Sequence, residues 1–146
     1  MNFLLVLAMA TVGGTYLASL VPNQEDMVNS FKEAQRFYAE GAYDQAIEQY
    51  EAVTRIRSRA LDTESIQVTV GEESFPVQEA ADYQIGNSYA KVYTEYARQA
   101  EDAPDGVQRG RLASEADSAF AATVRAFRQV IAHSTNEVLI IQAYGR

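Results

Sequence analysis

Cysteine is absent from the chain, and histidine occurs once, at His133. The first absence removes disulfides, thiolate nucleophiles, iron–sulfur clusters and most structural zinc sites together. It leaves the redox compartment open, since such a chain is chemically at ease inside or outside the cell. With no second imidazole, a typical transition-metal site cannot be assembled. His133 reads instead as a residue near a helix C-terminus, where partial positive charge is favourable. Positive charge is scarce as well. The 146 residues carry a net charge of −8, with most of the excess acid between Asp62 and Asp105. A surface of that sign repels phosphate, which argues against nucleic acid as a partner. It is not drawn to anionic headgroups either, so any membrane contact must come from apolar burial.

The motifs of common chemistry are missing too: there is no glycine-rich phosphate loop, nucleophile elbow or HExxH pattern. Carboxylate pairs such as Glu72/Glu73 fall in a stretch that reads as a solvated turn rather than a desolvating pocket. Arg55, Arg57, Arg59, Arg109 and Arg111 read as surface charges on an acidic chain. The expectation is therefore a non-enzymatic protein with no catalytic residue, no cofactor and no metal.

What is present begins with an uncharged run from Phe3 to Val21, closed by Pro22. At about 1.5 Å per residue, roughly 20 residues cross a hydrocarbon core of about 30 Å. Residues 1–23 are read as a retained single-pass transmembrane anchor that meets the bilayer through residues 3–22. A cleaved signal peptide and a buried core helix are the competing readings. Against cleavage, no Lys or Arg precedes the run, and the small-x-small site Ala8-Met9-Ala10 comes too early. Ala10, Gly14 and Ala18 recur at the spacing that lets two helices approach closely in lipid. The first flanking charges, Glu25 and Asp26, are acidic, and no basic residue appears before Lys32. That favours a body on the periplasmic, extracytoplasmic side.

The body, residues 24–146, contains 3.6-residue periodicity almost throughout. From Asp26 to about Ala39, the residues Met27, Phe31, Ala34, Phe37 and Tyr38 mark one helix face. Gly41 breaks that helix, Asp44 sits where a cap is expected, and Ala46, Ile47, Tyr50, Val53 and Ile56 mark a second face. Two such helices joined by a glycine turn form an antiparallel pair. Between Asp62 and Gln78 the pattern changes. Ile66, Val68 and Val70 alternate with polar residues, Gly71-Glu72-Glu73 can turn, and Phe75 and Val77 follow. This predicts a small β-hairpin or extended loop inserted at 62–78 and packed on the helices. A third helix is expected from about Glu79 to Ala100, with Tyr89, Tyr93 and Tyr96 along one face. Asp102-Ala-Pro104-Asp105-Gly106 ends it, and a fourth helix runs from about Arg109 to His133. After Asn136 another apolar helical run starts at Val138, and its exposed face wants a neighbour. It either caps the array or leads into further chain.

The stretch from Ala34 to Val53 resembles a tetratricopeptide repeat. Ala34, Phe37, Gly41, Tyr43, Ala46, Tyr50 and Val53 match that pattern in order. Small residues let the paired helices close, and aromatics fill the space beside them. Glu33 departs from it, standing where a large apolar residue is usual, as does Ser58 at the place of the closing proline. Gly86 and Tyr89 resemble the first helix of another repeat, and Phe127 and Val130 its second, with Thr123 where alanine is usual. The resemblance implies an all-α solenoid of antiparallel helix pairs whose usual work is binding other proteins.

The expected function follows: a membrane-anchored scaffold for protein–protein interaction, an accessory subunit of a larger membrane assembly. Bacterial inner-membrane proteins with one amino-terminal span and an outward-facing repeat domain share this layout. Its partners would be other proteins of that assembly or copies of itself. Tyr89, Tyr93 and Tyr96 are the candidate partner groove, against the plainer reading of core packing. Two alternatives stay open: a filament protomer assembled through the leader helix, and a periplasmic accessory protein released by cleavage. The glutamate that type IV pilins carry near the start of that helix is missing, which counts against the filament.

Overall fold

The computed structural model describes residues 24–56 and 66–145. The leader with Ala10, Gly14 and Ala18, residues 57–65 with Arg57, Ser58 and Arg59, and Arg146 lie outside the described residues.

Helix α1 spans Gln24–Ala39, with Glu25 and Asp26 in its first turn and Arg36 in its last, the arrangement its dipole favours. Met27, Phe31 and Ala34 are fully enclosed, and Phe37 and Tyr38 pack at the margin. The helix stops through a specific device. Gly41 takes φ +79°, its N–H donates to the Tyr38 carbonyl, and the Ala42 N–H donates to the Phe37 carbonyl. These are the paired bonds of a Schellman motif, which needs a left-handed residue after the helix. No atom crowds a Cβ at that position. Gly41→Ala should therefore cost only the backbone term, about 1 kcal/mol, read as a lower midpoint in chemical denaturation.

Helix α2, Tyr43–Arg55, starts two residues past that glycine and buries Ala46, Ile47, Tyr50 and Val53. Here the sequence expectation needs a correction. Ala42, not Asp44, occupies the cap position, and no side chain caps the helix. The Schellman turn delivers the chain directly into helical geometry, so Asp44 lies inside the first turn and acts only through its charge.

The inserted segment is a hairpin. Strand β1, Gln67–Val70, pairs antiparallel with β2, Glu73–Pro76, in the register Val70↔Glu73 and Gln67↔Pro76. Gly71 has φ +65° and no non-glycine residue among the described residues has positive φ, the signature of a type II′ turn. Alternation puts Ile66, Val68, Phe75 and Val77 inward, where they join the main core. The Gln35 side-chain amide donates to the Thr69 carbonyl at 2.9 Å, tying the hairpin to α1. The hairpin thus seals one end of the helical layer, consistent with the marginal stability of an isolated two-stranded ribbon.

Helices α3, Val77–Asp102, and α4, Gly106–His133, form a long hairpin. The α4 helix begins ahead of the expected Arg109 because the Asp105 carboxylate accepts from the Gln108 N–H at 2.8 Å. Helix α5, Glu137–Tyr144, is capped by Asn136, whose side chain accepts from the Val138 and Leu139 N–H groups. The α2 helix runs antiparallel to α3: Ile56 at its end accepts from Gln78, and Tyr43 at its start lies beside Tyr96. The five helices and two strands of the described residues enclose one main core. A smaller cluster, Ala100, Ala103 and Leu112 with Tyr96 against it, closes the far end of the α3–α4 hairpin.

Candidate functional site

Small residues set the helix spacing. Ala34 and Ala46 are fully enclosed between α1 and α2, flanking an edge-to-face contact of Phe31 and Tyr50 with ring centroids 5.3 Å apart. Between α3 and α4, Gly86 meets the ring of Phe127 so closely that a Cβ would stand 2.7 Å from it. Tyr83 packs on the same ring at 5.7 Å, and Val130 is buried one turn beyond. Thr123 is buried as well, its hydroxyl donating to the Ala119 carbonyl at 2.9 Å. Of the aromatic positions quoted from sequence, Tyr43 is half-buried, resting edge-on against Tyr38 at 5.4 Å, and Tyr89 is also half-buried. Glu33, the departure from the apolar pattern, is instead held by Arg36, which also bridges Glu40.

The three tyrosines of α3 part company. Tyr89 lies within electrostatic reach of Glu51 and Asp44 on α2 and of Arg125 on α4. Burial pushes its phenol upward first, the Glu51 carboxylate adds to this, and Arg125 pulls the other way. Tyr93 packs against Phe120 of α4 with ring centroids 5.6 Å apart and the rings tilted by 54°, and both are exposed. Tyr96 lines a cleft of about 170 Å³ with Tyr43, Asp44, Val92, Glu95 and Gln99. The surface of α3 therefore carries aromatic rings on its α4 side and aromatic rings with carboxylates on its α2 side. Phe120 is exposed because it lies at the outer edge of the buried stripe of α4.

A second polar constellation ties distant parts of the chain together. The Glu79 carboxylate, in the first turn of α3, accepts from the hydroxyls of Ser134 and Thr135 and from the N–H groups of Thr135 and Asn136. It holds the α4–α5 junction against the hairpin end of the domain. Partial burial alone would raise its pKa, but the four hydrogen bonds outweigh burial and hold it below the usual glutamate value. Nothing local in sequence signals this clamp, because its partners lie more than fifty positions away.

A carboxyl depressed in the folded state contributes stability that is complete above its unfolded value, about 4.3, and is lost as pH falls through the lower folded value. Glu79→Ala should cost about 1 kcal/mol near neutral pH, the solvent-exposed fraction keeping it modest. Denaturant titrations repeated from pH 7 to below pH 4 should show that difference shrinking only at the acid end.

Outside the core, α5 exposes Val138, Ile141 and Tyr144 while it buries Leu139 and Ala143. Among the described residues, no group of His, Asp and Glu side chains is arranged to hold a metal ion. His133 is exposed at the end of α4. Among the same residues, no helix is long and apolar enough to cross a membrane. No family model matches this chain, and neither a curated protein nor a solved structure matches it.

Proposed function

We propose that this chain is a non-enzymatic scaffold of tetratricopeptide-like helix pairs, tethered to a membrane by residues 3–22 with its body on the extracytoplasmic side. Its work is to hold another protein of a membrane assembly. The observation that carries the reading is the exposed aromatic and acidic surface of α3, where Tyr93 packs in the open against Phe120 of α4 and the Tyr96 cleft opens toward α2. Rigid aromatic side chains lose little entropy on contact, so they are the groups that anchor protein interfaces. Two short-looped helical hairpins packed side by side supply the stiff support such a face requires. The tether rests on the uncharged run Phe3 to Val21 in the sequence.

Alkaline extraction of membranes carrying the full chain tests the tether. The protein should stay in the pellet and leave it only with detergent. A chain recovered in the wash, with an amino terminus beyond Val21, would favour the released periplasmic form instead.

A further inference from the structure

The cleft where the first turn of α2 meets the second half of α3 combines three properties. It is concave but small, about 170 Å³. That is below the few hundred cubic ångströms of small-molecule pockets, and it suits a single side chain. Two aromatic side chains, Tyr43 and Tyr96, line it together with Val92. Its rim is anionic, with Asp44 on one helix and Glu95 on the other. Among the described residues neither carboxylate pairs with a Lys or Arg, although Glu33, Glu40, Glu51 and Asp102 do. Glu95 accepts only a neutral bond, from the Gln99 amide at 3.2 Å.

We infer that this cleft receives an arginine side chain from a basic segment of the partner protein. Stacking a guanidinium on a tyrosine face while a carboxylate takes its N–H groups is the combination for which arginine is suited and a neutral side chain is not. The charge of the whole body points the same way: a net −8 draws a basic segment in and turns an acidic one away. Tyr93, exposed one turn before Tyr96 where it meets Phe120 of α4, offers an apolar footing to a segment that crosses α3. The inference rests on the interaction-module reading and names the chemistry of what is bound.

The test uses the full chain in detergent micelles and a fluorescent peptide with arginines spaced by alanine and leucine. A copy with each arginine replaced by neutral citrulline is the control. Binding is read by anisotropy at low and physiological salt, with the site mapped by amide chemical shifts. The arginine peptide should bind at least ten-fold tighter than the citrulline peptide and shift amides around Tyr43 and Tyr96. Asp44→Asn with Glu95→Gln should weaken it about ten-fold, as should Tyr96→Ala, while Glu115→Gln with Asp117→Asn on the exposed side of α4 should leave it unchanged. Equal loss in both charge-removed variants would mean diffuse attraction and overturn the proposal. Equal affinity for the citrulline peptide would overturn it too, as would self-association broken by the cleft variants. Tight binding mapped to another face would end the cleft assignment while leaving the scaffold reading standing.

Discussion

Replacing Gly86 with leucine should remove about 3 kcal/mol or more of stability, enough to unfold a large fraction of a domain of ordinary stability. The cause is geometric. Even a Cβ at Gly86 would lie 2.7, 2.9 and 3.0 Å from three atoms of the Phe127 ring. That ring is buried and wedged by Tyr83, so it has little room to turn aside. Gly86→Ala separates two opposing effects. Alanine favours the helix by about 1 kcal/mol, whereas overpacking costs about 1–3, so a small net loss is expected. Shrinking the opposing group should rescue it: Gly86→Ala with Phe127→Leu should be more stable than the sum of the single changes, by about 1 kcal/mol in a double-mutant cycle. Thermal or denaturant unfolding followed by circular dichroism reads all three. An unaltered midpoint for Gly86→Leu would mean that α3 and α4 do not meet at this point.

Tyr50→Ala should be comparably damaging, at about 3–4 kcal/mol. The ring is 1% exposed and packs on Phe31, so truncation leaves a cavity where α1 and α2 meet. Burial also holds the phenol far above the ordinary tyrosine range, with the nearby Tyr38 adding to it, so the ring stays neutral across the physiological window. Tyr50→Phe keeps the shape and should cost less than about 1 kcal/mol. A large loss from Tyr50→Phe, matching that from alanine, would move the explanation from packing to the hydroxyl.

The helical pairs could be read from residue spacing because their core faces are unbroken. Met27, Phe31 and Ala34 on α1, and Ala46, Tyr50 and Val53 on α2, recur at three- and four-residue steps and are the residues enclosed. Period-two alternation around a glycine identified the hairpin in the same way, since Val68 and Phe75 had to point inward together. Position along the chain was less legible than periodicity. Asp44 looked like a cap, but the backbone of Gly41 had already set the start of α2, and side-chain preference yielded to it. Glu79 stayed silent because its partners come from the α4–α5 junction, and hydrogen bonds across such a separation leave no spacing to recognise. The cleft was half visible. Spacing alone marks Tyr96 as a residue that can face a partner, yet its companions Tyr43 and Asp44 come from another helix, and only antiparallel packing brings them together. Spacing also puts Tyr89, Tyr93 and Tyr96 on one stripe of α3. The structure divides that stripe, because Tyr93 meets Phe120 of α4 whereas Tyr96 lines the cleft toward α2.

The central claim is that the body grips another protein while the leader holds it at a membrane. Cross-linking in intact cells, followed by purification of the full chain in mild detergent and mass spectrometry of the linked peptides, tests it most directly. The account predicts links from α3 and the helices beside it to one recurrent membrane-associated protein, retained in the native complex. A chain that purifies alone, links to nothing and runs as a detergent-independent monomer would contradict it.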